Sequence, residues 1–265
     1  MANSADDLLL VDLDPPIAWI TVNRPVAHNA LNSDLWRRLA GAVTALGEDP
    51  SVRVIVVRGA GQRAFISGAD ISEFDQVRGD VAAARRYDEL SATAWLALES
   101  VAKPVIAMIN GLCYGGGVSV AATCDLRIAT EAARFAIPAL RLGLAYPLVA
   151  IERLVRIVGS AAASDLLLTG RAIDAAEALH IGLVHRVVPR SRLEHTVRDL
   201  ATQIASGAPL TLAAHKLAIR EVGEAGRPRR IDELTDALRR CFASEDYQEG
   251  IRAFLEKRPA RFEGR

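Results

Sequence analysis

The chain has 265 residues, of which 51% are hydrophobic and 5% aromatic, and its 32 basic and 32 acidic side chains leave no formal net charge. Balanced charge and scarce aromatic residues argue against nucleic-acid binding. No apolar run is long enough to cross a membrane, so we expect neither a nucleic acid nor a membrane as a partner. The length allows one large domain, or one domain with a C-terminal appendage.

The chain begins with a pattern that predicts strand, strand, helix and strand. The apolar runs Leu8–Val11 and Ile17–Val22 predict a hairpin. From Ser33, the expected N-cap, to Gly47 the apolar residues recur at helical spacing. The run Val52–Val57 is almost entirely apolar and rich in β-branched residues, which predicts a strand buried on both faces.

The middle of the chain contains two stretches of small residues. Gly59–Ile71, taken alone, is an ordinary connection before the helical region Asp75–Ala102. The second stretch follows the predicted buried strand Val105–Ile109 and contains the glycines Gly115–Gly117, and Val118–Cys124 then reads as the first turns of a buried helix. The strand, the glycines and the helix form one continuous unit.

Glycines between a strand and a helix leave backbone N–H groups uncovered at the positive end of the helix dipole. A ligand oxygen can then come within hydrogen-bonding distance of the main chain. One interpretation of Gly115–Gly117 is therefore an anion or oxyanion site. The other is a tight turn packed against neighbouring backbone, and this stretch alone does not decide between them.

The second half of the chain moves from mixed structure to helices. The pattern predicts a strand at Leu126–Ala129, a loop or broken segment at Phe135–Pro147, a helix at Leu154–Gly170, a helix capped by Asp174 and ended by Gly182, and a last strand at Val184–Val188. From Arg192 only helical patterning follows, broken near Gly226–Pro228. We therefore expect a β-containing core over residues 1–190 and a helical region over residues 191–265.

The three cysteines, Cys113, Cys124 and Cys241, have neither a disulfide framework nor metal-ligand spacing. Residues 1–7 lack the order of a signal peptide. We expect a cytoplasmic protein that carries no metal.

Several motifs occur together in order and at consistent spacing. They are Asn23-Arg24-Pro25 with Asn29-Ala30-Leu31, Ser67-Gly68-Ala69-Asp70-Ile71, Lys103 to Ala107 leading to Asn110-Gly111 and the three glycines, Cys124 to Ala129, Leu168 to Arg171, Gly182-Leu183-Val184 and Phe254 to Pro259. Through this set nearly the whole chain resembles the crotonase superfamily, the enoyl-CoA hydratase/isomerase family.

The resemblance implies an α/β fold made of a spiral of strand-strand-helix units, with a helical C-terminal region used for trimerisation and often a dimer of trimers. It implies an acyl-CoA thioester as ligand and no separate cofactor, because coenzyme A is part of the substrate. Matching the motifs places the two backbone amides that hold the thioester oxygen on Ala69 and Gly116. This favours the oxyanion interpretation of the glycine stretch.

The same resemblance implies a wider set of substrate-binding positions. Around the two amides they are Arg24, Ala27, Ser67, Asp70, Ile71, Ser119 and Ala139, and near the C-terminus they are Phe254 and Lys257. We expect Lys257 and Arg258, beside Phe254 and Phe262, to approach the CoA phosphates, across a subunit boundary if the protein is a trimer. Asp70 could instead organise its own loop, and Lys257 could be a solvated helix end.

The chain departs from the family where the hydratases carry two glutamates. Those positions are here Ser119 and Ala139. Hydration needs a base and an acid, each contributing ~10²–10⁴-fold, and neither residue supplies one unaided. Tyr146 is a candidate replacement, since a similarly placed tyrosine occurs in a decarboxylase of the family; the alternative is a packed aromatic with a surface hydroxyl.

Three functions therefore remain open. The first is an acyl-CoA enzyme that stabilises an enolate and performs decarboxylation, C–C cleavage or isomerisation rather than efficient hydration. The second is a catalytically silent acyl-CoA-binding protein. The third is a serine hydrolase, because Gly117-Val118-Ser119-Val120-Ala121 approximates the nucleophile elbow, although no histidine lies within the motifs.

Overall fold

The structure is a computed structural model that describes residues 7–223 and 230–265. Its strands are β1 (Leu9–Asp14), β2 (Ile17–Val22), β3 (Val54–Gly59), β4 (Ala64–Ile66), β5 (Val105–Ile109), β6 (Leu112–Tyr114), β7 (Leu126–Thr130), β8 (Arg134–Ala136), β9 (Ile173–Asp174) and β10 (Arg186–Val188). Its helices are α1 (Ser33–Glu48), α2 (Phe74–Val77), α3 (Val81–Ser100), α4 (Gly116–Thr123), α5 (Leu148–Thr169), α6 (Ala175–His180), α7 (Leu193–Ala205), α8 (Pro209–Gly223), α9 (Ile231–Ala243) and α10 (Glu245–Leu255).

The larger sheet has six strands in the order β1-β2-β3-β5-β7-β10. Its first pair is the predicted antiparallel hairpin, with Leu9 opposite Val22, and the remaining pairs are parallel. One face of the sheet belongs to the main hydrophobic core, and the other is covered by α7 through Leu193, Val197 and Leu200. Burial on both faces explains why β3 is almost continuously apolar.

The smaller sheet has four strands in the order β4-β6-β8-β9. The pairs β4–β6 and β6–β8 are parallel, and β9 is antiparallel to β8. Each turn of the chain adds one strand to the large sheet and the next strand to the small one: β3 then β4, β5 then β6, β7 then β8. A helix follows each turn, which is the expected spiral of strand-strand-helix units.

The helical part of the chain follows β10. From Leu193 onward the described residues form α7 to α10, and the assignment of residues 191–265 to a separate region stays a prediction. The break that the sequence predicts near Gly226–Pro228 lies outside the described residues. No helix within residues 7–223 and 230–265 combines the length and apolarity that a membrane crossing would need.

Two details of the sequence prediction are wrong. The N-cap of α1 is Asn32, whose side chain accepts a hydrogen bond from the Leu35 amide, and not Ser33, which is the first helical residue. The segment Phe135–Pro147 is not all irregular, because it contributes to β8 and then forms a 3₁₀ helix at Pro138–Leu142. By contrast, Asp174 caps its helix as predicted, by accepting from the Glu177 amide.

Candidate active site

Three loops follow neighbouring strands of the small sheet at the same edge. Because β4, β6 and β8 are parallel, their carboxyl ends lie side by side. The loop after β4 contains Ala69, the turn after β6 contains Gly116, and the 3₁₀ helix after β8 contains Ala139. The fold therefore brings together three of the predicted site positions that are separated by up to about seventy residues in the sequence.

The Ala69 amide points away from the segment that holds its loop. Gly68 O accepts from the Leu31 amide at 2.8 Å, and the Asp70 amide donates to Leu31 O at 2.9 Å. Together they form a parallel bridge between Leu31 and Ala69. Alternate residues of an extended segment face opposite sides, so the N–H of Ala69 faces the other way. It donates to no acceptor among the described residues.

The Gly116 amide borders the same space. Gly116 is the first residue of α4, where an N–H has no acceptor within its helix. A Cβ placed on Gly116 would lie 3.5 Å from the Ala69 nitrogen and 3.4 Å from Cζ2 of Trp36. Two backbone amides from different loops thus lie close together, with an indole beside them. An oxyanion hole would need two such donors.

Close backbone packing sets the distance between the two amides. A Cβ on Gly117 would lie 2.1 Å from Ile66 O, so only glycine lets α4 start directly against the end of β4. Gly115 has φ +49° and ψ −116°, and its amide donates to Ala136 O of β8 at 2.8 Å. The glycine stretch is therefore both a tight packed turn and a source of an uncovered amide.

Tyr146 and Ser119 meet directly behind this turn. Their hydroxyl oxygens are 2.6 Å apart, and Tyr146 also donates to Gly115 O at 2.8 Å. Ser119 is buried within α4, and burial raises the pKa of the Tyr146 phenol well above its usual value. The hydroxyl of Tyr146 is thus turned inward, and the alternative of a surface hydroxyl is wrong.

Proton-transfer groups are scarce at this point. Ala139 packs against the main hydrophobic core and offers only a methyl group. Within the described parts of the chain, no carboxylate hydrogen bonds to Ser119 or Tyr146. Burial raises the pKa of Tyr146, the hydrogen bond with Ser119 lowers it, and the Cys113 thiol raises it further. Cys113 is itself buried and has a raised pKa.

Asp70 organises the loop that carries the Ala69 amide. One carboxylate oxygen accepts from the amide and hydroxyl of Ser72, and the other accepts from Arg24 at 2.8 Å. Partial burial opposes the charged form, but the hydrogen bonds from Ser72 and Arg24 prevail and lower the pKa of Asp70. Arg24 also donates to Ala30 O. Asp70 therefore has the loop-structuring role that the sequence left open.

Two supports of the site carry no clear signal in the sequence. The fully buried side chain of Asn29 accepts from the Arg24 amide and donates to Ala60 O and Ala64 O, which joins three segments. On the other side, the Tyr87 hydroxyl accepts from Trp36 Nε1 at 3.0 Å and lies 3.4 Å from Leu31 O. These contacts depend on tertiary structure and leave no pattern in the sequence. A local signal exists at Asn29, whose φ is 59°, because asparagine tolerates a left-handed backbone better than most residues.

The remaining predicted positions divide into two groups. Ala27 ends a 3₁₀ helix, the Ser67 amide donates to His28 O, and Ile71 is exposed, all close in the structure to the Ala69 loop. Phe254 and Lys257 instead lie at the exposed end of α10. No hydrogen bond or ion pair among residues 7–223 and 230–265 joins either of them to the Ala69 or Gly116 loops.

Residues 7–223 and 230–265 contain no cluster of three or more His, Cys, Asp or Glu side chains suited to a metal ion.

Comparison with known proteins gives one consistent family. The family model described as "Enoyl-CoA hydratase/isomerase" matches residues 14–265. The chain is 36% identical to the short-chain-enoyl-CoA hydratase of Clostridium acetobutylicum, covering 94% of this chain and 95% of the relative. It is 37% identical to the crotonyl-CoA hydratase of Syntrophomonas wolfei, covering 96% and 97%.

Solved structures agree with this. A crystal structure of an enoyl-CoA hydratase/carnithine racemase from Magnetospirillum magneticum superposes with a TM-score of 0.93 at 36% identity, covering 98% of this chain and 96% of that one. An enoyl-CoA hydratase from Bacillus anthracis gives a TM-score of 0.89 at 31% identity, covering 98% and 100%.

Proposed function

The chain belongs to the enoyl-CoA hydratase/isomerase family, the crotonase superfamily, and we propose that it binds an acyl-CoA thioester whose carbonyl oxygen accepts hydrogen bonds from the Ala69 and Gly116 amides. The observation that carries this proposal is the pair of amides without a protein acceptor among the described residues, which two neighbouring loops place close together. Both relatives named above are enoyl-CoA hydratases by name, which supports a CoA thioester as the ligand class.

The chemistry follows from where charge develops. When the carbon next to a thioester carbonyl loses a proton to a base, or loses a carboxylate group as CO₂, the bonding electron pair stays behind and delocalises onto the carbonyl oxygen. Two fixed N–H donors at that oxygen stabilise the enolate more than the neutral thioester, and one such donor is worth roughly 2.7–4 kcal/mol in other enzymes. The amides need no side-chain titration, so this stabilisation is independent of pH.

We further propose that the enzyme does not hydrate simple 2-enoyl-CoAs efficiently. At the two positions where the family resemblance places glutamates, the chain has a buried hydroxyl at Ser119 and a methyl at Ala139. We infer that Tyr146 is a poor replacement as an acid, because its hydroxyl donates to Gly115 O and burial raises its pKa. Loss of both carboxylates lowers the hydration rate on the order of 10⁴-fold or more. Decarboxylation, C–C cleavage and isomerisation remain the reactions that such a site can serve.

The two alternatives fare differently. A catalytically silent acyl-CoA-binding protein would use the same amides, and only turnover on a panel of CoA esters separates it from the enzyme. A serine hydrolase needs a base at Ser119, but the observed partner of Ser119 is a tyrosine whose raised pKa keeps it protonated. Two of the described histidines have partners other than Ser119: His185 accepts a hydrogen bond from the Arg127 amide, and His195 pairs with Asp199.

A Gly116→Ala substitution tests the proposed oxyanion site. The new methyl would lie beside the Ala69 nitrogen without a backbone clash and would displace the thioester oxygen. We expect butyryl-CoA to bind at least about tenfold more weakly, which corresponds to about 1.4 kcal/mol, as measured by isothermal titration. The matched control is Gly41→Ala on an exposed turn of α1, where a Cβ meets nothing within 4 Å. Equal affinity of wild type and Gly116→Ala would refute the assignment.

A further inference from the structure

We propose that Tyr146 is a positioning residue that orients and polarises the Gly116 amide through the Gly115–Gly116 peptide bond. The proposal rests on the proposed function, since it concerns the same amide. Its basis is the hydrogen bond from the Tyr146 hydroxyl to Gly115 O, at 2.8 Å. The carbonyl of Gly115 and the N–H of Gly116 belong to one peptide unit, and that unit is planar. A bond that fixes the oxygen therefore fixes the direction of the N–H on the opposite side.

The protons can be counted along the chain of hydrogen bonds. Tyr146 has one hydroxyl proton, which goes to Gly115 O, so the 2.6 Å contact with Ser119 requires the serine to donate. The donors then run in one direction, from Ser119 to Tyr146, to the Gly115 carbonyl, and from the Gly116 N–H to the ligand oxygen. Aligned donors polarise one another, by about 10–30% per bond.

The bond from Tyr146 is additional to what the helix needs. Gly115 O already accepts from the amides of Val118 at 2.9 Å and Ser119 at 3.2 Å in the first turn of α4. Tyr146 comes from a distant segment, 31 residues along the chain, between the 3₁₀ helix and α5. A third donor on one carbonyl oxygen is unnecessary for helix capping, but it draws electron density from the peptide and makes its N–H a stronger donor.

The backbone at this position also requires support. Gly115 has φ +49° and ψ −116°, outside the regions that other residues occupy at low cost. Small rotations of this peptide would swing the Gly116 N–H away from the space that it shares with Ala69. A partly buried tyrosine, held by Ser119 on one side and by the carbonyl on the other, restricts that rotation. Burial raises the pKa of Tyr146, so the phenol remains a donor throughout the neutral range.

Ser119 then has a function beyond packing in the core, because its hydroxyl donates to Tyr146. Where a hydratase of the family has a carboxylate, this chain has a hydroxyl that donates into the back of the oxyanion hole. A carboxylate could not donate there when ionised. The site thus exchanges a proton-transfer group for one that strengthens the oxyanion donor.

The test uses infrared difference spectroscopy of bound butyryl-CoA labelled with ¹³C at the thioester carbonyl. In the wild type we expect the carbonyl stretch to fall relative to free ligand. In Tyr146→Phe we expect that shift to shrink by a fraction on the order of 10–30%, while affinity for free CoA is unchanged. Replacing Tyr146 by 3-fluorotyrosine, whose phenol is the stronger acid, should enlarge the shift, which loss of packing would not do.

The outcomes separate the two proposals. A wild type that binds no thioester, or shows no carbonyl shift, overturns the proposed function and the inference with it. A wild-type shift that is the same in Tyr146→Phe and in the fluorotyrosine protein overturns only the role of Tyr146. If the phenylalanine variant does not fold, the fluorotyrosine protein decides alone, and an unchanged shift there counts against the inference.

Discussion

Single residues at this site act mainly on the backbone. Asn29, Asp70 and Tyr146 each direct their side chains to main-chain atoms or to a neighbouring polar group that fixes a loop. The groups that would face the ligand are amides, whose positions depend on these contacts. Substitutions of the supporting residues should therefore change stability and oxyanion geometry more than they change protonation chemistry.

Asp70 gives a pH-dependent stability that can be measured. Its pKa is lowered in the folded protein, so its contribution is complete above its unfolded pKa, about 3.9, and is lost as the pH falls through the lower folded value. We expect Asp70→Asn to lower the free energy of unfolding by about 1.5–3 kcal/mol at pH 7. The difference from wild type should shrink below about pH 4 in urea titrations.

The control for Asp70 is Asp34→Asn. Asp34 pairs with Arg38 one turn along α1, and both side chains are nearly half exposed. We expect a loss of no more than about 0.5 kcal/mol there, because solvent screens an exposed pair. A stability difference for Asp70→Asn that stays constant from pH 7 to pH 3 would contradict the electrostatic origin.

At the level of elements, sequence periodicity identifies the long units and misses the short strands β4, β6 and β8. The hairpin, α1, β3, β5 and the start of α4 have clear apolar patterns, and the structure contains them. β4, β6 and β8 have three residues each, too few to show alternation, and β4 lies inside a stretch of small residues. These three strands set the edge on which the site lies.

The same limit applies to the site residues. The glycine turn is visible in the sequence because three successive glycines between a strand and a helix indicate backbone that a side chain would obstruct. The bond between Tyr146 and Gly115 is not predictable, since it depends on where the segment before α5 packs. The assignment of Ala69 depends on family resemblance, and the orientation of its amide is set by the bridge to Leu31.

The end of α10 presents apolar side chains to solvent in the isolated chain. Phe254 is 84% exposed and Leu255 73%, and both line one cavity with Phe242 of α9. Large exposed apolar patches mark interaction surfaces, and we propose that this one packs against other copies of the chain in a trimer or a dimer of trimers.

Truncation after Arg252 should lower both the assembled mass in light scattering and the affinity for CoA thioesters. Phe254→Asp is the milder variant, because so exposed a side chain contributes little to the fold of one chain. It should dissociate the assembly while circular dichroism stays unchanged. Wild-type mass and wild-type affinity in both variants would count against the interface and against a binding role for Lys257.

At the scale of the whole molecule, the spiral explains why these positions meet. Each turn places one short strand in the small sheet, and the chain leaves each of those strands at the same edge. Two of the exits supply backbone donors and the third supplies a methyl group at Ala139. The proposed oxyanion site therefore follows from the topology of the small sheet, whereas the residues at positions 119 and 139 do not.

The central claim is tested most directly by mixing the protein with crotonyl-CoA and following the absorbance of the conjugated enoyl thioester. We predict an immediate red shift of the bound chromophore, because the two amides polarise its carbonyl, followed by little loss of absorbance. A turnover number of ~10 s⁻¹ or more would contradict the account, since another group would then have to supply the base. Absence of any red shift at saturating protein would contradict the oxyanion site itself.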